Sequence, residues 1–429
     1  MVRSKSVLNM MMMSLSSIGL VGVLWVLYGY SMAFGNDVGA GLLGNPFEYF
    51  GLSGLFAGNY LATDTAPDVT FPLVGTIPAL VFVGFQATFA IITVALISGA
   101  VADRMRFGPW LLFAGLWATI VYFPVAHWVF SFDGVTAETG GWIANTLVAI
   151  DFAGGTAVHI NAGAAALALV LVIGKRRGWP REPMRPHNLT LVMLGAGLLW
   201  FGWFGFNAGS AVGASGIAGF AMINTIAATC AAMLAWLVVE RIRDGKPTSL
   251  GAASGVVAGL VAITPSCSSV SPLGALAVGI IAGVLCALAV GLKFRFGYDD
   301  SLDVVGVHLV GGLVGTLLIG FFADPGSPAA VAGLFYGGGV DQLWRQAVGA
   351  FAVLIYSFVL SLVLAYIVKA IMGLRVTDEE EATGIDEVEH AETGYDFSSH
   401  SGVSGLAAHA GSAGKASTDQ VPATAGKEG

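Results

Sequence analysis

Long apolar runs alternate with short polar segments along most of the chain. A bilayer core about 30 Å thick is crossed by about 20 predominantly apolar residues in a helix. The runs are continuous and do not alternate with a period of two residues, which excludes a membrane β-barrel. We therefore predict an all-α polytopic membrane protein with ten transmembrane helices, over 11–34, 77–101, 108–130, 152–174, 188–209, 217–240, 248–265, 272–292, 303–323 and 346–373.

Composition agrees with a chain whose main solvent is the lipid bilayer. Hydrophobic residues make up 56% of it, charged residues 11%, and its mean hydropathy is +0.79, all far from the averages of soluble globular domains. The 60 glycines suit helices that pack closely within a membrane. The three cysteines have no metal-ligand spacing. They predict no metal site, and we expect no cofactor, no nucleic-acid partner and, as the favoured interpretation, no enzymatic activity.

Basic residues predict the orientation, because Lys and Arg concentrate in cytoplasmic loops. They occur in every second loop, whereas the intervening loops hold Arg345 alone. Both termini are therefore predicted to be cytoplasmic, and the protein is predicted to lie in the plasma membrane. The basic residues assigned to the cytoplasmic side by this pattern are Arg3, Lys5, Arg104, Arg106, Lys175, Arg176, Arg177, Arg181, Arg185, Arg241, Arg243, Lys246, Lys293, Arg295 and Arg375.

The chain divides into a transmembrane domain, 1–373, and a cytoplasmic tail, 374–429. The tail carries 3 basic and 11 acidic residues, which accounts for the whole negative net charge. Residues 376–390 predict one short acidic helix, and the Gly/Ala/Ser-rich segment 398–420 is predicted to be disordered. We expect the acidic part to dock on basic loop residues at Arg176, Arg177 or Arg181.

Two histidines lie deep inside predicted spans, where ionisable residues are costly. Asp151 precedes His159 by eight positions, and Asp300 precedes His308 by the same interval. At a rise of 1.5 Å per residue, eight residues place each imidazole about 12 Å below its aspartate. Since the two spans enter from opposite faces, both imidazoles then lie near the midplane. This is the pattern of an inverted repeat with a site at its interface. A single buried histidine is more often a packing residue, but a symmetric pair favours function.

The aspartates have a second interpretation, as helix N-caps that bind free backbone N–H groups. Capping is the favoured role for Asp300 and Asp303. For Asp151 two roles remain open, because a carboxylate near the entrance could also organise a cation site.

Five segments resemble the diagnostic segments of the Amt/Rh ammonium transporter family, in the family order over nearly all of 1–395. They read IPALVFVGFQATFAIITVALISGA (77–100), DFAGGTAVHINAG (151–163), GWFGFNAGSA (202–211), TPSC (264–267) and DVVGVH (303–308). The resemblance implies a homotrimer of eleven-span subunits, each an inverted repeat around a central hydrophobic pore. It implies ammonium or ammonia as substrate, with methylammonium as an analogue. It also implies a cytoplasmic segment that can contact a PII-type signal protein.

Site residues follow from the same resemblance. It maps the paired pore histidines onto His159 and His308, two stacked phenylalanines above them onto Phe89 and Phe206, the outer ammonium-binding serine onto Ser210, and a buried structural aspartate onto Asp151. The family's outer site includes a tryptophan in a segment like AHWVW, whereas residues 126–130 read AHWVF. Phe130 then takes that place, or Trp128 substitutes from the same turn.

The start of the chain also departs from the family pattern. Residues 4–37 resemble the family's second span, so the first span is expected to be missing here and to lie upstream of an internal methionine. Three other functional interpretations remain open at this point. They are an ammonium sensor that acts through its tail, an unrelated secondary transporter, and an intramembrane hydrolase, although the last would need a motif such as HExxH, which the sequence lacks.

Overall fold

The computed structural model describes residues 1–58 and 70–395, and ten membrane helices dominate them. Each overlaps one predicted span. Nine of those helices, within the described residues, are long and apolar enough to cross a bilayer, and α7 is shorter. The helices are α1 (Ser4–Phe34), α2 (Ala79–Val101), α3 (Phe107–Phe130), α4 (Gly155–Ile173), α5 (Leu189–Gly209), α6 (Gly216–Arg243), α7 (Ser249–Ile263), α8 (Pro272–Phe296), α9 (Val305–Phe322) and α10 (Asp341–Met372).

Several of these helices contain π-helical turns, in which the backbone hydrogen bond spans five residues. The turns lie at Trp25–Gly29 in α1, Ala118–Tyr122 in α3, Gly155–Ile160 in α4 and Val305–Leu309 in α9. π-turns are rare and concentrate at functional sites. Shorter elements lie between the helices: turns at Phe50–Leu52, Ile143–Leu147 and Leu334–Tyr336, and an antiparallel pair of strands, β1 (Leu73–Val74) and β2 (Ile77–Pro78).

Loop contacts define two faces of the bundle. The lower face carries the tail, because the Arg106 N–H donates to the Leu374 carbonyl there. The opposite, upper face holds the loops after α1, α3 and α7, where the Phe152 N–H donates to the Pro265 carbonyl. Consecutive helices therefore alternate in direction between the two faces, as the loop charges predict.

Small residues bring α6 and α8 into backbone contact. A Cβ atom at Gly279 would overlap the Ala228 carbonyl oxygen, and one at Gly283 would overlap that of Ala232. Membrane helices gain van der Waals contact when small residues let their backbones approach in this way. The abundance of glycine in the sequence thus has a specific packing role here.

The helix α7 has 15 residues and ends at Ile263, two residues before Pro265. Proline has no backbone N–H, so Pro265 cannot continue the hydrogen-bond ladder of the helix, and α7 ends short of the predicted span 248–265. Irregular backbone continues over 264–271, and Thr264, Ser266 and Cys267 in it are fully buried. Its free carbonyls are satisfied by protein: the Asn224 side chain donates to the carbonyls of Cys267 and Val270.

The tail forms two short helices, α11 (Asp378–Thr383) and α12 (Ile385–His390). The prediction of one helix over 376–390 is wrong, because the chain breaks at Gly384, whose φ of 133° suits glycine alone. Residues 398–420, predicted to be disordered, lie outside the described residues.

Acidic side chains attach the tail to the lower face. The Asp386 carboxylate accepts hydrogen bonds from the Leu8 and Asn9 N–H groups at the start of α1. Glu381 pairs with Arg3 at 3.1 Å and accepts the Arg177 backbone N–H at 3.0 Å. Of the basic docking residues predicted, Arg177 therefore contacts the tail through its backbone.

The Arg176 guanidinium is engaged elsewhere, in a buried ion-pair network below the helices. It contacts Asp299 at 2.8 Å and Asp103 at 3.0 Å. The fully buried Arg104 donates to the Gly174 carbonyl at 2.9 Å. Burial alone would raise the pKa of Asp299, but hydrogen bonds from Arg176 and the charge of Arg104 outweigh it, so the pKa lies below its ordinary value. The network joins three loops that the sequence separates widely.

Candidate functional site: a column of rings between two cavities

His159 and His308 meet in the middle of the bundle. His159 lies in the π-turn of α4 and His308 in the π-turn of α9, so the two rings approach from opposite faces, as predicted. Their Nδ1 atoms are 3.2 Å apart and the rings are inclined by 26°. Both are buried, with 1% and 8% of their surface exposed. One Nδ1 must then donate and the other accept, which fixes opposite tautomers on the two rings.

Aromatic rings continue the column above the histidines. Phe89 of α2 stacks on Phe206 of α5 with ring centroids 4.4 Å apart, and the Phe206 ring lies 6.1 Å from that of His159. Trp203 stacks on His159 at 5.4 Å and 16°. Trp203 was not among the predicted site residues, although it lies three residues before Phe206 and so on the same helix face.

An upper cavity of about 280 Å³ opens on the other side of Phe89. Its wall includes Phe130, Ser210 and Gln86. The Ser210 hydroxyl donates to the Phe206 carbonyl at 2.8 Å, which leaves its oxygen lone pairs available to accept hydrogen bonds from a ligand. This cavity therefore combines aromatic faces with a small number of polar groups.

A lower cavity of about 400 Å³ reaches the other end of the column. His308 lines it together with His187, Ser254 and Asp303. The histidine pair thus lies between two cavities, with the Phe89–Phe206 stack closing the upper side. The arrangement suits a small ligand that leaves its water shell behind at the rings.

Comparison with known proteins identifies the family. The family model described as "Ammonium Transporter Family" matches residues 1–395. The chain belongs to the ammonium transporter family. The ammonium transporter of Mycobacterium tuberculosis H37Rv is 69% identical over 94% of this chain and 86% of that protein, and the one of Bacillus subtilis is 46% identical over 92% of each.

Solved structures agree with that assignment. The crystal structure of Saccharomyces cerevisiae Mep2 superposes with a TM-score of 0.75 at 33% identity, over 85% of this chain and 79% of Mep2. A protein described as "Sensor Amt Protein" gives a TM-score of 0.79 at 30% identity over 91% of each chain. The family consists of transporters, so the alternatives of an unrelated secondary transporter and of an intramembrane hydrolase are excluded.

In this transporter Phe130, rather than Trp128, lines the upper cavity. The Phe130 ring lies 6.0 Å from that of Phe89 in an edge-on arrangement. Trp128, two residues earlier on the helix, points elsewhere: its Nε1 donates to the Leu42 carbonyl and its ring packs on Trp142. Of the two candidates offered by the segment 126–130, the geometry supports Phe130 and argues against Trp128.

Asp151 forms a backbone cap at the start of α4. Its Oδ1 accepts from the N–H groups of Gly154 and Gly155, and its Oδ2 from those of Thr156 and Ala157, at 2.7–3.0 Å. Both oxygens are therefore fully used by the π-turn that carries His159. The capping interpretation explains Asp151 without a ligand.

The second pair of aspartates differs from that pattern. Asp300 accepts the Val305 N–H at 2.7 Å and so caps α9, as expected. Asp303, also predicted to be a cap, instead pairs with Lys293 at 2.7 Å. Its φ of 61° turns the chain sharply before the helix begins. Within residues 1–58 and 70–395, no cluster of three His, Cys, Asp or Glu side chains could hold a metal ion, and Cys230, Cys267 and Cys286 are free thiols.

Proposed function

We propose that this transporter carries ammonium across the plasma membrane, with its upper cavity facing outward. NH₄⁺ binds in the upper cavity, loses its water at the Phe89–Phe206 stack and gives a proton to the histidine pair below it. NH₃ then passes along the pair, and the proton leaves the imidazoles at the lower cavity. The observation that carries the proposal is the continuous column of rings between the two cavities, with the two imidazoles in contact at its centre.

Recognition in the upper cavity rests on two kinds of contact. The Ser210 oxygen accepts an N–H hydrogen bond, and the π faces of Phe89 and Phe130 attract a cation by about 0.5–2 kcal/mol each. Directly below that cavity the Phe89–Phe206 stack offers ring faces rather than polar atoms. A hydrated ion would lose its shell there without replacement, whereas neutral NH₃ has little to lose.

The histidine pair provides a route for the proton, because linked imidazoles exchange donor and acceptor roles when a proton moves between tautomers. Replacing either His159 or His308 with alanine interrupts that route. We expect each variant to assemble normally and to lose the ammonium-driven current, or to pass other cations as a leak.

Purified protein in liposomes tests this, with current and assembly state measured on the same preparation and K⁺ as competitor. The matched control is His409→Ala, which removes a histidine from the tail and keeps the pair. A double variant of His159 and His308 to alanine that assembles and gives wild-type current and selectivity would exclude the pair as the functional centre.

Assembly and regulation complete the proposal. We infer a homotrimer of transmembrane domains 1–373, whose cytoplasmic tails 374–429 are accessible to a PII-type protein. The docking of Glu381 and Asp386 on the lower face supports a tail that responds to a partner. Deleting 374–429 should change transport or PII binding. Unchanged values of both, with an intact trimer by light scattering, would contradict this part.

A further inference from the structure

The upper cavity contains a buried amide whose oxygen has no hydrogen-bond donor. Gln86 lies on α2 between Phe82 and Phe89, and all three line the cavity. Only 7% of Gln86 is exposed. Among the residues that the structure describes, none donates to its Oε1. A buried acceptor without a donor is unfavourable, so its presence in a cavity wall calls for a ligand that supplies one.

We propose that Gln86 is a second hydrogen-bond acceptor for ammonium in the upper cavity, in addition to Ser210. This inference rests on the proposed function and adds a residue to it. NH₄⁺ has four tetrahedral N–H donors, so one ion can donate to Ser210 and to Gln86 while its remaining edges face the rings of Phe89 and Phe130.

Position along the helix supports the assignment. Residues 82, 86 and 89 are four and three positions apart, which places their side chains on one face of α2. Gln86 therefore stands one turn above Phe89, the ring at which the column begins. An ion held there is bound directly before the step at which it must lose its water.

The chemistry of the group suits a transient site. A carboxamide oxygen accepts hydrogen bonds from a cation without carrying a full charge. It therefore stabilises NH₄⁺ less than a carboxylate would and lets the nitrogen leave as NH₃. The Oε1 atom is itself buried, and a half-turn about the last side-chain bond brings it to the place of the amide nitrogen, since the two orientations have the same shape.

The test uses three variants of the full chain in liposomes, with ammonium-driven current recorded over a range of ammonium concentrations. Gln86→Met keeps the length of the side chain and removes the acceptor. Gln86→Glu replaces the amide with a carboxylate of the same shape. The control is Thr88→Val on the same helix, whose hydroxyl donates to the Phe85 carbonyl and which does not line the cavity.

We expect Gln86→Met to raise the half-saturating ammonium concentration about tenfold, the loss typical of one hydrogen bond to a charged group, with a smaller change in maximal current. Gln86→Glu should lower the half-saturating concentration, and Thr88→Val should leave it unchanged. The opposite shifts of the two Gln86 variants separate ligand binding from packing, since a packing defect would not improve affinity.

Three outcomes are distinguishable. A wild-type protein without ammonium-driven current would refute the proposed function itself. A wild-type current together with a Gln86→Met half-saturating concentration within twofold of wild type would overturn the inference and leave Gln86 with water as its partner. If Gln86→Met does not assemble, an unchanged half-saturating concentration in Gln86→Glu would overturn the inference equally.

Discussion

The cap made by Asp151 predicts a graded loss of stability. Removing its carboxylate in Asp151→Ala leaves four backbone N–H groups at the start of α4 without an acceptor. An unsatisfied buried donor costs about 1–3 kcal/mol, so four of them predict a loss of at least about 4 kcal/mol. Asp151→Asn keeps one oxygen and loses two of the four bonds, which predicts a loss of at least about 2 kcal/mol on the same scale.

The stabilities of the three proteins can be ranked by thermal unfolding in detergent. Tryptophan fluorescence and retention of the oligomer report the unfolding. We expect wild type to melt highest, the asparagine variant next and the alanine variant lowest. The ammonium-driven current should follow the same order, because the cap fixes the π-turn that carries His159.

The competing role, a carboxylate that attracts the cation through its charge, predicts another order. Both substitutions remove the charge completely, so both would abolish the current to the same extent. An alanine variant that has the melting temperature of wild type but has lost its current would refute the capping argument. The asparagine variant decides between the two roles because it separates charge from hydrogen bonding.

The structure supports three further predictions. Asp299→Asn should lower the melting temperature, because it removes the charge that pairs with the buried guanidinium of Arg176 and leaves it Asp103 as its remaining carboxylate; removing one partner of a buried ion pair costs about 3–5 kcal/mol, and a melting curve like that of wild type would contradict this. The same network should weaken under acid. The depressed pKa of Asp299 means that its carboxylate stabilises the fold above the pKa of the unfolded state, near 3.8, and that this stability is lost as the pH falls further. Unfolding measured between pH 5 and 3 would detect the loss. Gly279→Ala should destabilise by about 1–3 kcal/mol by separating α8 from α6, whereas Gly219→Ala, with open space at its Cβ, should have little effect on thermal unfolding.

Periodicity and loop charge were sufficient to predict the ten helices and their alternation, because both depend on average properties of long segments. Ends were less accurate: α1 begins at Ser4 rather than 11, and α10 at Asp341 rather than 346. Polar residues at these ends pack against the tail and the loops, and hydropathy contains no information about such contacts.

Site details depended on contacts that the sequence does not encode locally. The pairing of His159 with His308 was predictable from their matched spacing. The π-turns that hold them were not, since one extra residue per turn is stabilised by tertiary contacts. Phe130 and Trp128 are separated by roughly half a helical turn, so the sequence alone allows either of them to face the pore. Trp128 packs on Trp142 instead, which leaves Phe130 at the cavity. Asp303 likewise has the sequence position of a cap, but its partner Lys293 comes from the end of the preceding helix, ten residues earlier.

The short helix α7 has a consequence for how this protein can move. Its 15 residues extend about 22 Å, roughly 8 Å less than the hydrocarbon thickness. The missing length is supplied by the irregular segment 264–271, whose polar backbone is tolerated at that depth because protein surrounds it. Sliding α7 by one turn would bring those amides toward lipid at several kcal/mol each. A rocking motion that slides α7 is therefore disfavoured, and turnover should depend on side-chain rotations within a static framework.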